Sequence, residues 1–215
     1  MMMRSMIIGL RRVILIRSDI DFFGSLWYNF HCTDTCVLML SLHFISPTQK
    51  GEYVMLIIIE GIVVCFILLI VCVVGLKDGP EKFAVFHEDD VKKRVVELGY
   101  TTEKELKRSF TISGIALFVP MIIIVPVMVY FINGASDFWS AFWQMTVIFM
   151  IGNLFDRIFI DEFWVGHTKA WFIPGTEDLM PYIPVKVKIK KWIGNIIMFP
   201  LLSAVIAGIV TFFMK

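Results

Sequence analysis

The chain has 215 residues, 58% of them hydrophobic and 18% charged, with a mean hydropathy of +0.78. Soluble domains run nearer half apolar and about a quarter charged, so the excess points to membrane helices. A net charge of +1 excludes the basic footprint of nucleic-acid binding, and no nucleic-acid partner is expected.

The first 54 residues contain no apolar run long enough to span a bilayer. MMMRSMIIGLRRVILIR resembles a signal peptide only in outline, because Arg11 and Arg12 interrupt the apolar stretch and no small-residue cleavage site follows. His31, Cys32, Cys36 and His43 do not match familiar zinc spacings, so neither a metal nor a cofactor is expected. Codons for Lys50-Gly51-Glu52 can spell a purine-rich ribosome-binding sequence ahead of Met55. The expectation is a leader or disordered extension over 1–54, with the native start at Met55.

Four runs then match the roughly 20 helical residues needed to cross a core of about 30 Å. They cover about 55–76, 111–132, 138–160 and 192–214. The first contains Glu60, and an acid inside an apolar run is a candidate functional group by default. Its Cys65 and Cys72 read as small packing residues. After the KDGP turn, EDDVKKRVVELG predicts a short amphipathic helix with Val91, Val95 and Leu98 on its apolar face. Thr102 and Glu105 form a capping box for a further helix leading to the membrane. Acids and bases are balanced at eight each over 77–110, which argues for a docking platform and against DNA recognition.

The second run carries Pro120 and Pro126, each able to kink a helix. The third ends in NLFDRIFIDEFWVGHTKAWFIPGTED. On an α-helix Asn153, Asp156, Ile160 and Trp164 share a face, and Arg157 with Asp161 forms an i, i+4 ion pair. The functional reading is a polar pocket in which Asp156 and Asp161 act as acid, base or cation ligands, with His167 and the Thr176-Glu177-Asp178 turn closing over them. The competing reading is a salt-bridged helix end with tryptophan anchors. VKVKIKK alternates like a strand but has no partner strand. Its Lys186, Lys188, Lys190 and Lys191 suit anionic lipid headgroups at roughly 1 kcal/mol each near the surface. In the last run the Ser203/Ala207 and Ala204/Gly208 ladders permit close helix approach.

From Met55 on, 14 of 15 Lys and Arg residues lie at or beside the two long loops. The positive-inside bias makes those loops cytoplasmic, with the 133–137 turn and the C-terminus outside. Trp139 and Trp143 then fall at the outer interface, and Trp164, Trp171 and Trp192 at the inner one.

RVVELGYTT (94–102), FDRIFID (155–161) and FIPGTED (172–178) together resemble a family of uncharacterised bacterial multi-pass membrane proteins. That family has an ELG-x-x-T-type cytoplasmic segment, two acids five apart at a helix end and a Pro-Gly-Thr-Glu turn. The resemblance spans most of Met55 to Lys215. It implies architecture without mechanism and marks Asp156, Asp161 and Pro174 to Glu177.

The reading is therefore an all-α, polytopic bacterial cytoplasmic-membrane protein: four transmembrane helices with short cytoplasmic amphipathic helices. The candidate ligand-binding residues are Asn153, Asp156, Arg157, Asp161, His167, Thr176, Glu177 and Glu60. Small-molecule or ion handling comes first, and four helices are few enough for that to imply a homo-oligomer. A non-catalytic scaffold or regulatory subunit binding a membrane partner is the second reading. An enzyme acting on lipid or isoprenoid is the third.

Overall fold

A computed structural model describes residues 50–214, with side chains from Tyr53 to Met214. These fall in one unit, apart from Lys50 at its edge. The leader expectation for 1–49, with His31, Cys32, Cys36 and His43, lies outside the described residues. Helix α1 (Lys50–Leu76) runs through Met55 without a break.

Four more helices follow. They are α2 (Asp89–Glu97), α3 (Glu103–Val127), α4 (Phe138–Phe155) and α5 (Val185–Phe213). Two of them change winding at their C-terminal ends. α3 continues as a π-turn over Met128–Ile132, and α4 as a ten-residue π-helix over Asp156–Val165. Four stretches are long and apolar enough to cross a membrane: Tyr53–Leu76, Glu103–Ile132, Phe138–Val165 and Val185–Phe213. The described chain is thus an all-α, four-span fold of the multi-pass membrane kind.

Local sequence explains where the elements begin. Asp89 and Asp90 favour the first turn of α2, Val91 and Val95 are buried, and Gly99 at φ +76° stops the helix. The capping box at Thr102 and Glu105 forms as expected. The segment it starts is not a separate helix, however. No breaker lies between Leu106 and Thr111, so it runs straight into the second span as one helix. Asp137 caps α4 by accepting from the Ser140 amide at 3.0 Å. VKVKIKK, which alternates like a strand, is helical. With no strand to pair with, its backbone bonds internally from Pro184 onward and joins the fourth span.

α4 is the central element. Over the most apolar part of its span 56% of residues are buried, against 17–28% for the other three. α1 crosses it through two reciprocal glycine contacts. A Cβ on Gly61 would meet the Ile151 side chain at 2.7 Å, and one on Gly152 would meet Val64 at 2.6 Å. α5 packs through a Phe149–Phe199 ring stack, centroids 5.7 Å apart, and through buried Ser203 and Ala207. The companion Ala204/Gly208 ladder does not pack this way, since Gly208 faces open space in the chain. Outward rows such as Ile58, Ile62 and Phe66 on α1, or Ile197, Leu201 and Val205 on α5, are exposed. Apolar rows of this extent suit lipid contact rather than water.

The two long loops gather at one end of the bundle around Phe83, His87, Trp171 and Tyr182. Their rings meet at 5.7 Å (Phe83–Trp171), 4.7 Å (His87–Tyr182) and 5.9 Å (His87–Trp171). Trp171, expected in an interfacial belt, is instead buried in this cluster, because the loops fold over one another and supply it with aromatic neighbours.

Candidate functional site

The polar end of α4 is built by its change of winding. π-Turns close with i→i+5 hydrogen bonds and recur at functional sites. Residues five apart, which diverge on an α-helix, come nearly into register on a π-helix. Asp156 and Asp161 therefore both reach the Arg157 guanidinium. Its Nη2 donates to Asp156 Oδ2 and its Nη1 to Asp161 Oδ2. The expected Arg157–Asp161 pair is present, and Asp156 joins it.

α5 supplies the other wall. Lys191 Nζ lies 3.8 Å from Asp161 Oδ2, and Lys188 donates to Glu162 Oε2 at 2.5 Å. Asn195 Nδ2 donates to Asn153 Oδ1 at 2.6 Å. These contacts depend on the helical form of VKVKIKK, which puts Lys188 and Lys191 on one face and leaves Lys186 and Lys190 exposed. The Arg157 side chain is only 12% exposed, so this is a largely desolvated network.

Two donors in it have no partner among the described residues: Asn153 Nδ2 and Arg157 Nε, both buried. They stand four residues apart at the junction of α- and π-winding. Unpaired buried donors are costly, and a site that leaves two of them on neighbouring turns is suited to a guest carrying acceptor oxygens.

The other sequence-derived candidates fall elsewhere. His167 is exposed, with Nδ1 2.7 Å from the Glu162 carbonyl. Thr176 is fully buried but shares its hydroxyl with the Ile173 carbonyl and the Tyr182 hydroxyl, each at 2.7 Å. Glu177 accepts from the Gly175 amide at 3.1 Å. Asp178 pairs with Arg94 through two hydrogen bonds of 3.1 Å. None of these contacts leads to the acids, so the turn closes on itself and on α2 rather than over Asp156 and Asp161. Glu60 lies at the opposite end of the bundle, hydrogen-bonded to Asn133.

The structure also brings forward groups the sequence did not single out. His87 is buried, and its Nε2 has no partner. Burial, followed by the charges of Lys191 and Lys92, lowers its pKa from 6.5 to about 4, so it is a neutral imidazole at physiological pH. Arg94 bridges the loops, bonding both Asp178 and the Gly175 carbonyl, and holds the Asp178 carboxyl below its ordinary pKa. Gln144, a polar residue inside an apolar run, was open to the same reasoning that marked Glu60. His87 left no such signal, since its neighbours in the fold come from a loop more than 80 residues away.

No protein-family model matches this chain, and searches of curated proteins and of solved structures return no match.

Proposed function

We propose that the chain is a membrane carrier that handles a small molecule or ion at the loop-rich end of its bundle, with Asn153, Asp156, Arg157 and Asp161 at the binding face. The observation that carries this reading is the pair of buried, unpartnered donors on Asn153 and Arg157, held beside two carboxylates in a π-wound segment. The donors suit an acceptor-bearing group, an anion or a carbonyl, while the acids and Lys191 balance charge around it. The four spans are few for a carrier, so the working form is a homo-oligomer.

In this reading the loop-rich end faces the cytoplasm of a bacterium, an orientation that the Lys and Arg distribution favours. Exposed Lys186 and Lys190 meet anionic headgroups, whereas Lys188 and Lys191 serve the protein interior. Native mass spectrometry of the chain released gently from membranes tests the reading, beside Asp156→Asn/Asp161→Asn and Arg157→Lys. A small-molecule or ion adduct present in the wild type and lost in the variants supports it. Identical spectra with no adduct overturn it.

A second reading, a scaffold that docks a partner, is favoured by one feature. The loops are clamped to each other through Arg94, Asp178 and the contact of Leu98 with Gly175, which makes a preformed surface. A protein retained on the wild type but not on Arg94→Ala distinguishes it.

A further inference from the structure

At the tight-turn end, three polar side chains from different elements meet below the surface. Glu60 comes from α1, Asn133 from the turn after α3, and Gln144 from the second turn of α4. They are 3%, 6% and 8% exposed. The π-turn is what brings Asn133 inward. Its amide bonds the Met128 carbonyl at 3.0 Å, five residues back, and the extra residue in the turn rotates the side chain toward α1 and α4.

Both hydrogens of the Asn133 amide are already used. Nδ2 donates to Glu60 Oε2 at 2.9 Å and to Gln144 Oε1 at 2.8 Å, while Gln144 Nε2 donates to Ser140 Oγ at 3.0 Å. Glu60 Oε1 and Asn133 Oδ1 remain, both buried and both without a partner among the described residues. An ionised carboxylate oxygen and an amide oxygen can only accept, so neither can satisfy the other. They belong to groups joined by one hydrogen bond, Asn133 Nδ2 to Glu60 Oε2. Charge is unbalanced as well. Every ion pair among the described residues involves other acids, which leaves Glu60 without a basic partner. A buried carboxylate in that condition is expensive.

We infer that Glu60, Asn133 and Gln144 form a site for one exchangeable monovalent cation, either a proton or a sodium-sized alkali ion. One positive charge neutralises Glu60, and its unpaired Oε1 and the unpaired Asn133 Oδ1 are the oxygens open to it. Hard oxygen donors of this kind suit alkali ions. A divalent ion would leave a net positive charge and calls for more carboxylates, and among the described residues no group of three acids, histidines or cysteines could hold one. The site is independent of the acidic end of α4, and its test does not depend on the function proposed there.

The test is carbodiimide labelling of the full chain in detergent, read by peptide mass spectrometry. The reagent adds to protonated carboxyls, and Glu60→Gln supplies the unlabelled reference. In sodium-free choline buffer Glu60 is expected to label, with a rate that falls at least 10-fold as pH rises. If the guest is an alkali ion, sodium at constant pH and ionic strength slows labelling at least 10-fold relative to choline. If it is a proton alone, sodium has no effect and the pH dependence remains. The inference is overturned if Glu60 labels only after denaturation, or if its rate ignores both pH and sodium. Thermal melting gives a second readout: any pH or sodium dependence carried by this site must disappear in Glu60→Gln. A variant that melts with the same dependence as the wild type also overturns the inference.

Discussion

Arg157 is held between two half-buried carboxylates, for one of which, Asp161, Lys191 at 3.8 Å is the next nearest cation. Removing one partner of a buried ionic network is far more costly than never having built it, at about 3–5 kcal/mol. Arg157→Met is therefore expected to destabilise the protein by about that amount, read as a drop in unfolding midpoint in detergent. Asp156→Asn/Asp161→Asn leaves Arg157 and Lys191 without acid partners and is expected to cost at least as much as Arg157→Met. His87 makes a second prediction, on pH. Its folded pKa, about 4, lies below its ordinary value of 6.5. Below pH 6.5 the unfolded chain therefore binds a proton that the folded chain refuses. The stability contributed by neutral His87 is complete above pH 6.5 and is lost as pH falls toward 4, by about 3 kcal/mol in all. Lys191 and Lys92 are the cations that, after burial, disfavour its protonation. Melting curves at pH 7 and 5 are expected to separate for the wild type and to move closer together in His87→Phe.

At the scale of elements, the α1–α4 crossing depends on the absence of two side chains. Gly61→Val or Gly152→Val places atoms within Ile151 or Val64, and overpacking of that kind costs about 1–3 kcal/mol. The same change at Gly208, where nothing lies within 4 Å, is expected to leave the unfolding midpoint unchanged. The contrast between the sites checks that α1 and α4, and not α5, rely on glycine for approach. Much of this layer was legible in the sequence. The four spans, the capping box, the Asp89–Glu97 helix and the Arg157–Asp161 pair follow from apolar run length, fixed cap spacing and i, i+4 geometry, all of which are local. What was not legible is also explicable. The π-winding after Asp156 shifts residues relative to the α-helical wheel and could not be read from a 3.6-residue period. The alternation in VKVKIKK gave a strand-like pattern because period two takes no account of whether a partner strand exists. The loop cluster of His87, Trp171 and Tyr182 depends on contacts across more than 80 residues, which no local pattern encodes.

For the whole molecule, the open question is which end faces which compartment. Lysines and arginines concentrate at the loop-rich end, so that end is expected inside. Single cysteines introduced at Lys82 and at Ser136, in a background with the native cysteines replaced, provide the measurement. A membrane-impermeant thiol reagent applied to intact cells is expected to label position 136 and to spare position 82 until the cells are opened. The reverse pattern inverts the topology and would place the Asp156–Asp161 network on the far side of the membrane.

The four lysines of α5 also limit how this molecule can move. Lys188 and Lys191 engage acids on α4, while Lys186 and Lys190 point away. Asn195, Ser203 and Ala207 continue the inward face, touching Asn153 and, through the Ala207 carbonyl, Tyr130. One helical residue corresponds to about 100° of azimuth. A spin of α5 by even one register would withdraw both inward lysines from their acids, separate the asparagine pair and drive an uncompensated charge into the bundle. The helix is thus keyed in rotation along most of its length. Any rearrangement of the bundle must therefore carry α5 and α4 as one body.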